Sequence, residues 1–395
     1  MSKLRVAMIA PPWLVIPPKG YGGIEAVIYS LTKELTKLGL DIELFSIKGT
    51  RIRGIKNHYL YEQEQYIDIH KPTYESVTIN FAHLQFALNY IAKDGTFDLI
   101  HDHNGFIGPA VLGYATGHKV IPPVIHTLHG PPFSYKQMID QGIPDNIPFW
   151  TQLGKSNLPV NYVPISDTLR QQAPKAMKHQ MMKAVHNAVD VNDYLYSRRR
   201  KKKNYFMTLA RFSADKGQHI AAKLCDELNV PLLMAGTVAS IDTNRKLILE
   251  FANPLSNYRN NADFRYYSDK VLEYTIDNEN IKFIGNIAGK RKQSIIADAR
   301  ALLFPIDWEE PFGMAVIEAL ASGTPVVAMR RGAMPEIIDH GINGFLADNE
   351  KEFKEYMQRV EEIDPAVCRQ SIVDRFSASL MAERYLERYN TVLNK

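Results

Sequence analysis

Short apolar runs alternate with amphipathic segments along the first half of the chain. The apolar runs occupy residues 4–9, 42–46, 98–101, 124–128 and 162–165, and each has the length and composition of a buried β-strand. Residues 26–38 carry the apolar spacing of an amphipathic helix between the first two runs. This alternation predicts βα units around a parallel sheet.

The same rhythm restarts in the second half, after a polar stretch that follows residue 190. Strands are predicted at 205–209, 231–235, 281–284, 301–304 and 325–328, with helices between them. The long aromatic and charged stretch 242–280 is interpreted as helices that connect two strands. Residues 380–392 have helical spacing, and we expect this last helix to return to the first domain.

The length of the chain sets the number of domains. A chain of 395 residues exceeds the size at which one hydrophobic core usually stops growing. We therefore expect an α/β protein with one domain at 1–190, a second at 191–377, and a C-terminal helix, about 378–395, packed on the first.

Composition narrows the class of protein. With 45% hydrophobic and 23% charged residues and a net charge of +4, the chain is typical of a globular protein, and no nucleic-acid partner is expected. Its two cysteines, Cys225 and Cys368, lie far apart without metal-ligand spacing, so neither a disulfide framework nor a zinc site is expected. Prolines interrupt the signal-like apolar run near the N-terminus, and no apolar stretch approaches the roughly 18–20 residues that span a bilayer. A cytoplasmic location fits these features best.

Six consecutive cations, from Arg198 to Lys203, precede the first predicted strand of the second half. Such a run has two interpretations. It could be a surface that contacts anionic lipid or nucleic acid, or it could be a solvated linker. The linker is favoured, because no apolar or aromatic residue interleaves with the cations as an insertion or stacking surface requires. Peripheral contact with the inner face of a membrane stays open as the alternative.

Glu310 and Glu318 are two carboxylates separated by seven residues at a predicted loop-to-helix junction. Pro311 biases Glu310 toward an extended backbone, while residues 314–320 have the character of an apolar helix, so Glu318 falls in the first turns. Carboxylate oxygens accept hydrogen bonds from hydroxyl groups, and such a pair suits a sugar and a ribose held side by side. The alternative is two acids favoured by the helix macrodipole.

A pair of glycines follows the first strand of the first half, and a pair of cations follows the first strand of the second half. Gly22 and Gly23 let the backbone approach a ligand closely, and the helix behind them offers free N–H groups to an anion. Arg211 and Lys216 follow the first strand of the second half, where ligands of open α/β sheets bind, and such a cation pair suits a diphosphate. A tight turn and an ordinary surface loop are the respective alternatives.

Four histidines crowd the ends of two neighbouring predicted strands: His101, His103, His126 and His129. Strand alternation points His101 and His103 the same way and leaves Asp102 opposite, which is not a zinc-ligand pattern. A zinc site is therefore the less favoured interpretation. A histidine followed by Gly130 at a strand end is a candidate to hydrogen-bond a substrate hydroxyl.

Taken in order across two α/β halves, these motifs resemble the retaining glycosyltransferases of family 4 (glycosyl transferases group 1), and the resemblance spans nearly the whole chain. It is strengthened by segments that match the family's pattern at 163–167, 187–190, 284–286, 319–327, 335–337 and 343–346. The resemblance implies the GT-B fold, two Rossmann-like domains with parallel sheets facing a central cleft. Ala188 and Ala210 stand where many relatives have glycine, and the two small replacements put the local backbone shape in question.

The resemblance also implies a role for each matching residue. The catalytic set would be His129 near the reacting sugar carbon, Arg211 and Lys216 on the donor diphosphate, and Glu310 on the donor-sugar hydroxyls. Glu318 would bind the ribose diol. The other donor-binding positions implied are Gly22 and Gly23 against the diphosphate from the opposite domain, Asn286 and Ile287 near the base, and the backbone of Phe312, Gly313, Met314 and Ala315 near sugar and phosphate.

The activity implied is a hexosyltransferase that moves a sugar from a nucleotide-diphosphate sugar to a hydroxyl acceptor, in glycan, polysaccharide or glycolipid synthesis. The preferred donor is a UDP-sugar rather than GDP-mannose. The preferred mechanism is front-face attack with retention rather than a covalent intermediate. No metal or other cofactor is expected. The alternatives are another GT-B enzyme, such as a sugar-nucleotide epimerase, and a non-catalytic nucleotide-sugar-binding subunit. The sequence indicates neither the acceptor nor the oligomeric state.

Overall fold

The computed structural model describes residues 3–20, 22–66, 73–134, 145–197 and 201–394, leaving aside the side chains of 73–75. The chain divides into two compact units. Unit 1 comprises Met1–Ala188 and Ala378–Lys395, and unit 2 comprises Val189–Ser377. Each unit contains a six-stranded sheet whose paired strands are all parallel, so the predicted α/β class is confirmed.

The sheet of unit 1 has the strand order β3-β2-β1-β4-β5-β6. Its central strands are buried on both faces, because helices cover a parallel sheet on either side, and this burial explains their continuous apolar sequences. The strands are β1 (Arg5–Ile9), β2 (Asp41–Ser46), β3 (Lys56–Tyr59), β4 (Leu99–Asp102), β5 (Val124–Leu128) and β6 (Val160–Pro164).

Helices connect these strands, and one returns from the end of the chain. The helices of unit 1 are α1 (Gly23–Lys37), α2 (Thr73–Asp94), α3 (Ile107–Gly117), α4 (Ile147–Lys155), α5 (Asp167–Gln172) and α15 (Ala378–Val392), and a 3-10 helix spans Lys175–Gln180. The C-terminal α15 packs against α1 and buries Tyr385 and Tyr389 in unit 1.

Unit 2 repeats the architecture, with the strand order β12-β11-β10-β7-β8-β9. Its strands are β7 (Phe206–Leu209), β8 (Leu232–Ala235), β9 (Ile281–Gly285), β10 (Leu302–Phe304), β11 (Val326–Met329) and β12 (Gly344–Ala347). Its helices are α6 (Gln218–Glu227), α7 (Asn244–Ala252), α8 (Ala262–Lys270), α9 (Leu272–Thr275), α10 (Gly289–Asp298), α11 (Met314–Ala321), α12 (Met334–Ile337), α13 (Glu350–Met357) and α14 (Pro365–Arg375), with short 3-10 helices at Val191–Asp193, Ala214–Lys216, Asn257–Asn260 and Val360–Glu362.

Both sheets have a topological switch point, where the direction of strand addition reverses. In unit 1 it lies between β1 and β4, and in unit 2 between β7 and β10. Ligands of doubly wound sheets bind beyond the carboxyl ends of the strands at such a point. A ligand site of unit 2 is therefore expected at the loops after β7 and β10.

All ten predicted strands are present, with ends that differ by no more than two residues, and 242–280 forms helices as predicted. Strands β3 and β12 were not predicted. The sequence of β3, KNHY, is polar and half-exposed at the sheet edge, and β12 is a short GFLA segment. Strand β3 is polar and β12 begins with glycine, a residue that is depleted in strands, so both give a weak strand signal.

The basic run is described only in part, because Arg198, Arg199 and Arg200 lie outside the described residues, as does Tyr21. Lys203 is exposed and pairs with Asp298. Lys202 is half-buried and donates to Thr324 Oγ1 at 2.6 Å, so the solvated-linker interpretation was wrong for this residue. Among the described helices, none is long and apolar enough to cross a membrane.

Candidate functional site

The loop after β7 carries Arg211 and Lys216, at the switch point of unit 2. Arg211 Nη1 lies 2.5 Å from Asp263 Oδ2, and the side chain of Gln218 donates to the carbonyl oxygen of Arg211 at 2.8 Å. The guanidinium is therefore held on one side by an acid. Its side chain is 36% exposed, which leaves room for an anionic ligand.

Lys216 and Glu310 are in direct contact, although 94 residues separate them in the sequence. Lys216 Nζ lies 2.5 Å from Glu310 Oε2, and both side chains are largely buried. The indole Nε1–H of Trp308 donates to the same oxygen at 2.9 Å, and Lys216 Nζ lies 4.5 Å from the centre of the indole ring. The neighbouring positions of β7 and β10 in the sheet bring these residues together.

Two glycines allow the loops around this pair to approach closely. Gly217 has φ +65°, and a Cβ there would lie 2.0 Å from the carbonyl oxygen of Pro305. Gly332 has φ +54°, and a Cβ there would lie 2.2 Å from the carbonyl oxygen of Glu310. That carbonyl accepts the N–H of Ala333 at 2.9 Å. The backbone of Glu310 is thus fixed before any ligand arrives.

Helix α11 begins directly after the Glu310 loop. Its N-cap is Gly313, with φ +99°, and Met314 and Ala315 follow in the first turn while Phe312 is buried behind it. The first N–H groups of a helix have no partner inside the helix, and they carry the positive end of its dipole. The predicted loop position of Glu310 and helical position of Glu318 are both confirmed.

Glu318 lies on α11 and is buried, with two donors on one oxygen. Its Oε1 accepts from Lys292 Nζ at 2.7 Å and from the Tyr194 hydroxyl at 3.1 Å. Burial, together with the negative charge of Glu318, raises the pKa of Tyr194 well above its usual value, so the phenol stays protonated and remains a donor.

Asn286 and Ile287 follow β9. The N–H of Asn286 donates to the carbonyl oxygen of Asp242 at 2.8 Å, and Ile287 is buried. The loop is thus anchored at the carboxyl edge of the sheet.

Gly22 and Gly23 lie between the proline-rich segment and α1 of unit 1, and Gly23 is the first residue of the helix. Gly22 has φ +147°, and a Cβ there would lie 2.7 Å from Pro18 Cβ, so the turn has no space for a side chain. Glu25, one turn further, is buried, and this burial raises its pKa to about 7.

The four predicted histidines cluster at the ends of β4 and β5. The rings of His101 and His103 lie 4.2 Å apart, which confirms that they point the same way. His103 Nδ1 lies 2.8 Å from His129 Nε2, and His126 Nδ1 donates to Asp102 Oδ2 at 2.6 Å. Burial, with the nearby His126, lowers the pKa of His129 to about 3, so this ring is neutral at ordinary pH.

Hydroxyl groups occupy both nitrogens of His101, which argues against the zinc alternative at that ring. Its Nδ1 lies 2.7 Å from the Tyr389 hydroxyl and its Nε2 lies 2.7 Å from Thr127 Oγ1, which is in turn 2.8 Å from the Tyr385 hydroxyl. These contacts tie α15 to the histidine cluster of unit 1.

The predicted site residues thus form separate groups. Within unit 2, Lys216 and Glu310 contact each other, whereas Arg211 and Glu318 each contact other partners. Gly22, Gly23 and His129 belong to unit 1. Sequence reasoning missed four partners of the predicted residues: Tyr194, Asp263, Lys292 and Trp308. Only Trp308 had a local signal, its position two residues before Glu310.

Comparison with known families decides what these two units are. A family model described as Glycosyltransferase Family 4 matches residues 21–193, and one described as Glycosyl transferases group 1 matches residues 196–371. The chain belongs to glycosyltransferase family 4. Together the two matches account for both units of this glycosyltransferase.

Curated relatives support the assignment over different lengths. The putative glycosyltransferase YtcC of Bacillus subtilis is 22% identical over 404 aligned residues, covering 97% of this chain and 88% of that protein. A sucrose synthase of Melioribacter roseus is 30% identical over 140 residues, which cover 34% of this chain and only 17% of that protein.

Solved structures show that this glycosyltransferase has the GT-B fold. The sucrose-phosphate synthase of Thermosynechococcus elongatus superposes with a TM-score of 0.74 at 17% identity, covering 99% of this chain and 100% of that chain. Anabaena Alr3699/HepE, crystallised in complex with UDP and glucose, gives a TM-score of 0.67 at 15% identity, covering 98% and 100%. The predicted family and fold are confirmed.

Proposed function

We propose that this glycosyltransferase moves a sugar from a nucleotide-diphosphate sugar to a hydroxyl acceptor, with retention of the anomeric configuration. The contact between Lys216 and Glu310 at the switch point of unit 2 carries the proposal. In such a donor, a phosphate is bonded directly to a ring that bears hydroxyl groups. An ammonium and a carboxylate in contact match these two neighbouring groups.

The remaining residues of unit 2 extend this match along the donor. Arg211, Lys216 and the first amides of α11 offset the charge of the leaving diphosphate, and Glu318 accepts the ribose hydroxyls. Before the donor binds, Asp263 holds Arg211 and Glu310 holds Lys216, so both cations are already in place. Preformed contacts lower the ordering cost of binding.

The proposed roles of Gly22, Gly23 and His129 in unit 1 and of Asn286 and Ile287 in unit 2 follow from the family resemblance. For His129 the low pKa adds a restriction, because a neutral imidazole contributes a hydrogen bond to the donor sugar and carries no proton for the reaction at neutral pH.

The proposed mechanism of sugar transfer follows from the roles of Glu310 and Glu318, which both bind hydroxyl groups. No carboxylate is then assigned to the anomeric carbon, which favours front-face attack over a covalent intermediate. The leaving phosphate oxygen takes the proton of the acceptor hydroxyl as the new glycosidic bond forms and the sugar–phosphate bond breaks. We propose that this step needs no metal, because Arg211 and Lys216 supply positive charge at the diphosphate.

A uridine diphosphate sugar is the preferred donor over GDP-mannose. The Anabaena structures with UDP support this preference at the level of the fold. The product would be a glycan, polysaccharide or glycolipid.

The test is turnover with a panel of UDP- and GDP-sugars and hydroxyl acceptors, measured as released nucleoside diphosphate in buffer with EDTA. We expect release that depends on acceptor, with the product anomer matching that of the donor by NMR. Arg211→Ala should lose mostly kcat, because its charge is needed most as the diphosphate leaves. Unchanged turnover of Arg211→Ala at saturating donor, or an inverted product, would contradict the proposal.

A further inference from the structure

Trp308 contacts both members of the Lys216–Glu310 pair. Its indole N–H donates to Glu310 Oε2 at 2.9 Å, and Lys216 Nζ lies over its ring, 4.5 Å from the ring centre. A cation over an indole face is attracted by the ring, so this one side chain restrains the carboxylate and the ammonium together.

Both hydrogen bonds to Glu310 reach the same oxygen. Lys216 Nζ lies 2.5 Å from Oε2 and Trp308 Nε1 lies 2.9 Å from it, while Oε1 has no hydrogen-bond partner among the described residues. The ammonium is a rotatable donor with little directional preference, whereas the indole N–H has one fixed direction. The indole N–H therefore adds a directional restraint on the carboxylate that the ammonium does not supply.

The backbone of Glu310 cannot compensate for a lost side-chain restraint. The N–H of Ala333 and the close approach of Gly332 fix its position, but rotation about the side-chain bonds stays available. With Trp308 in place, the position of Oε1 is fixed as well.

We propose that Trp308 is a positioning residue that, with Lys216, holds Oε2 of Glu310 so that Oε1 accepts a hydroxyl of the donor sugar. The inference rests on the proposed function and adds to it a residue that sets recognition of the sugar half of the donor. In this proposal Trp308 acts on the donor sugar by orienting Glu310.

The test compares ligands with and without the sugar. Calorimetry measures the binding of UDP and UDP-glucose, and of GDP and GDP-mannose, to the wild type and to Trp308→Phe. Phenylalanine keeps a ring for the Lys216 ammonium and removes the N–H. We expect the nucleotide sugar to bind roughly tenfold more weakly and the nucleoside diphosphate to change by less than about twofold.

Two further variants separate positioning from a general structural effect. In a Glu310→Ala background, Trp308→Phe should cause no further loss of nucleotide-sugar affinity, because its effect passes through the carboxylate. Trp150→Phe replaces a buried tryptophan of unit 1 and is the matched control, which should leave the ratio of the two affinities unchanged. Thermal unfolding verifies that each variant is folded.

Three outcomes would overturn the inference. The first is that Trp308→Phe binds the nucleotide sugar as tightly as the wild type. The second is that Trp308→Phe loses affinity for the nucleoside diphosphate and the nucleotide sugar equally. The third is that Trp308→Phe causes a further loss of affinity in the Glu310→Ala background. If the wild type binds neither a nucleoside diphosphate nor a nucleotide sugar, the proposed function fails and the inference fails with it. Wild-type binding with an unaffected Trp308→Phe overturns the inference alone.

Discussion

Acid should destabilise unit 1 through His83, a fully buried histidine on α2. Its Nε2–H donates to the carbonyl oxygen of Ala10 at 2.9 Å. Burial lowers the pKa of His83 from 6.5 to about 4, because the charged imidazolium loses its hydration inside the unit. The neutral ring is therefore the form that the fold accommodates.

The sign and size follow from the two pKa values. Below pH 6.5 the unfolded chain binds a proton at His83, whereas the native state does so only below about pH 4, so stability is lost as the pH falls through this window. Each pH unit inside the window costs about 1.4 kcal/mol for one histidine, which gives about 3 kcal/mol in total. The buried His101, His103 and His129 act in the same direction, because burial lowers their pKa values too.

His83→Gln tests this account, because glutamine keeps an N–H donor and does not titrate. Urea unfolding between pH 7 and pH 4 is followed by fluorescence in a Trp308→Phe background, since the two remaining tryptophans, Trp13 and Trp150, both lie in unit 1. The free energy of unfolding of the variant, relative to its parent, should improve by about 3 kcal/mol from pH 7 to pH 4.

The exposed His118, replaced in the same way, is the matched control and should retain the pH profile of the parent. A parallel loss of stability by His83→Gln and its parent over the whole pH range would show that His83 does not cause the acid destabilisation.

Three further substitutions each test the contact or the burial of one side chain. Lys216→Met should destabilise unit 2 by about 2 kcal/mol in urea unfolding, because Glu310 is only 12% exposed and would keep its charge without the neighbouring cation. The double variant with Glu310→Gln should regain most of the lost stability, because the buried charge is removed as well. Glu25→Gln should stabilise the protein by about 3 kcal/mol at pH 8 and leave its stability unchanged below pH 4.5. The reason is that the pKa of Glu25 is raised to about 7, so the contribution of Glu25 to stability is lost as the pH rises through that value. Equal unfolding free energies of variant and wild type at pH 8 would contradict this. Tyr389→Phe should cost about 1–3 kcal/mol of unit 1 stability by thermal or urea unfolding, because it leaves the buried Nδ1 of His101 without its hydroxyl partner; a loss below about 0.5 kcal/mol would show that the contact is dispensable.

The strands were predictable because parallel strands that are covered on both faces have continuous apolar sequences. The exception in unit 1 shows the limit of this signal. Strand β3 is held at the sheet edge by backbone pairing of Asn57 with Leu44 and of His58 with Phe45, and its own side chains are polar. Pairing with a neighbour, and not local hydrophobicity, makes it a strand.

The loop and helix positions of the candidate site residues were predictable from the sequence, but their contacts were not. Arg211, Lys216 and Glu310 were identified because each follows a strand or opens a helix. The contact between Lys216 and Glu310 depends on the order of strands in the sheet, which brings the loop after β7 beside the loop after β10. Arg211 instead meets Asp263 of α8, 52 residues later in the chain. Tyr194 and Lys292 meet Glu318 from segments 124 and 26 residues away, and no local pattern marks either residue.

The histidine cluster illustrates both sides of this limit. Strand alternation correctly placed His101 and His103 on one side of β4. One of the two partners of His101 is Tyr389, 288 residues later in the chain, and it reaches the cluster only because α15 returns to unit 1. A contact of such sequence separation depends on the packed fold and has no signature in the sequence.

The proposed function requires that the switch-point loops of unit 2 bind a nucleotide-diphosphate sugar. The most direct test is a calorimetric titration of the wild type and Glu318→Ala with UDP-glucose and GDP-mannose. We expect saturable binding of one donor to the wild type. Glu318→Ala should bind that donor roughly tenfold more weakly or worse, because the carboxylate proposed to accept the ribose hydroxyls is removed. Absence of saturable binding by the wild type, or equal affinity of Glu318→Ala, would contradict it.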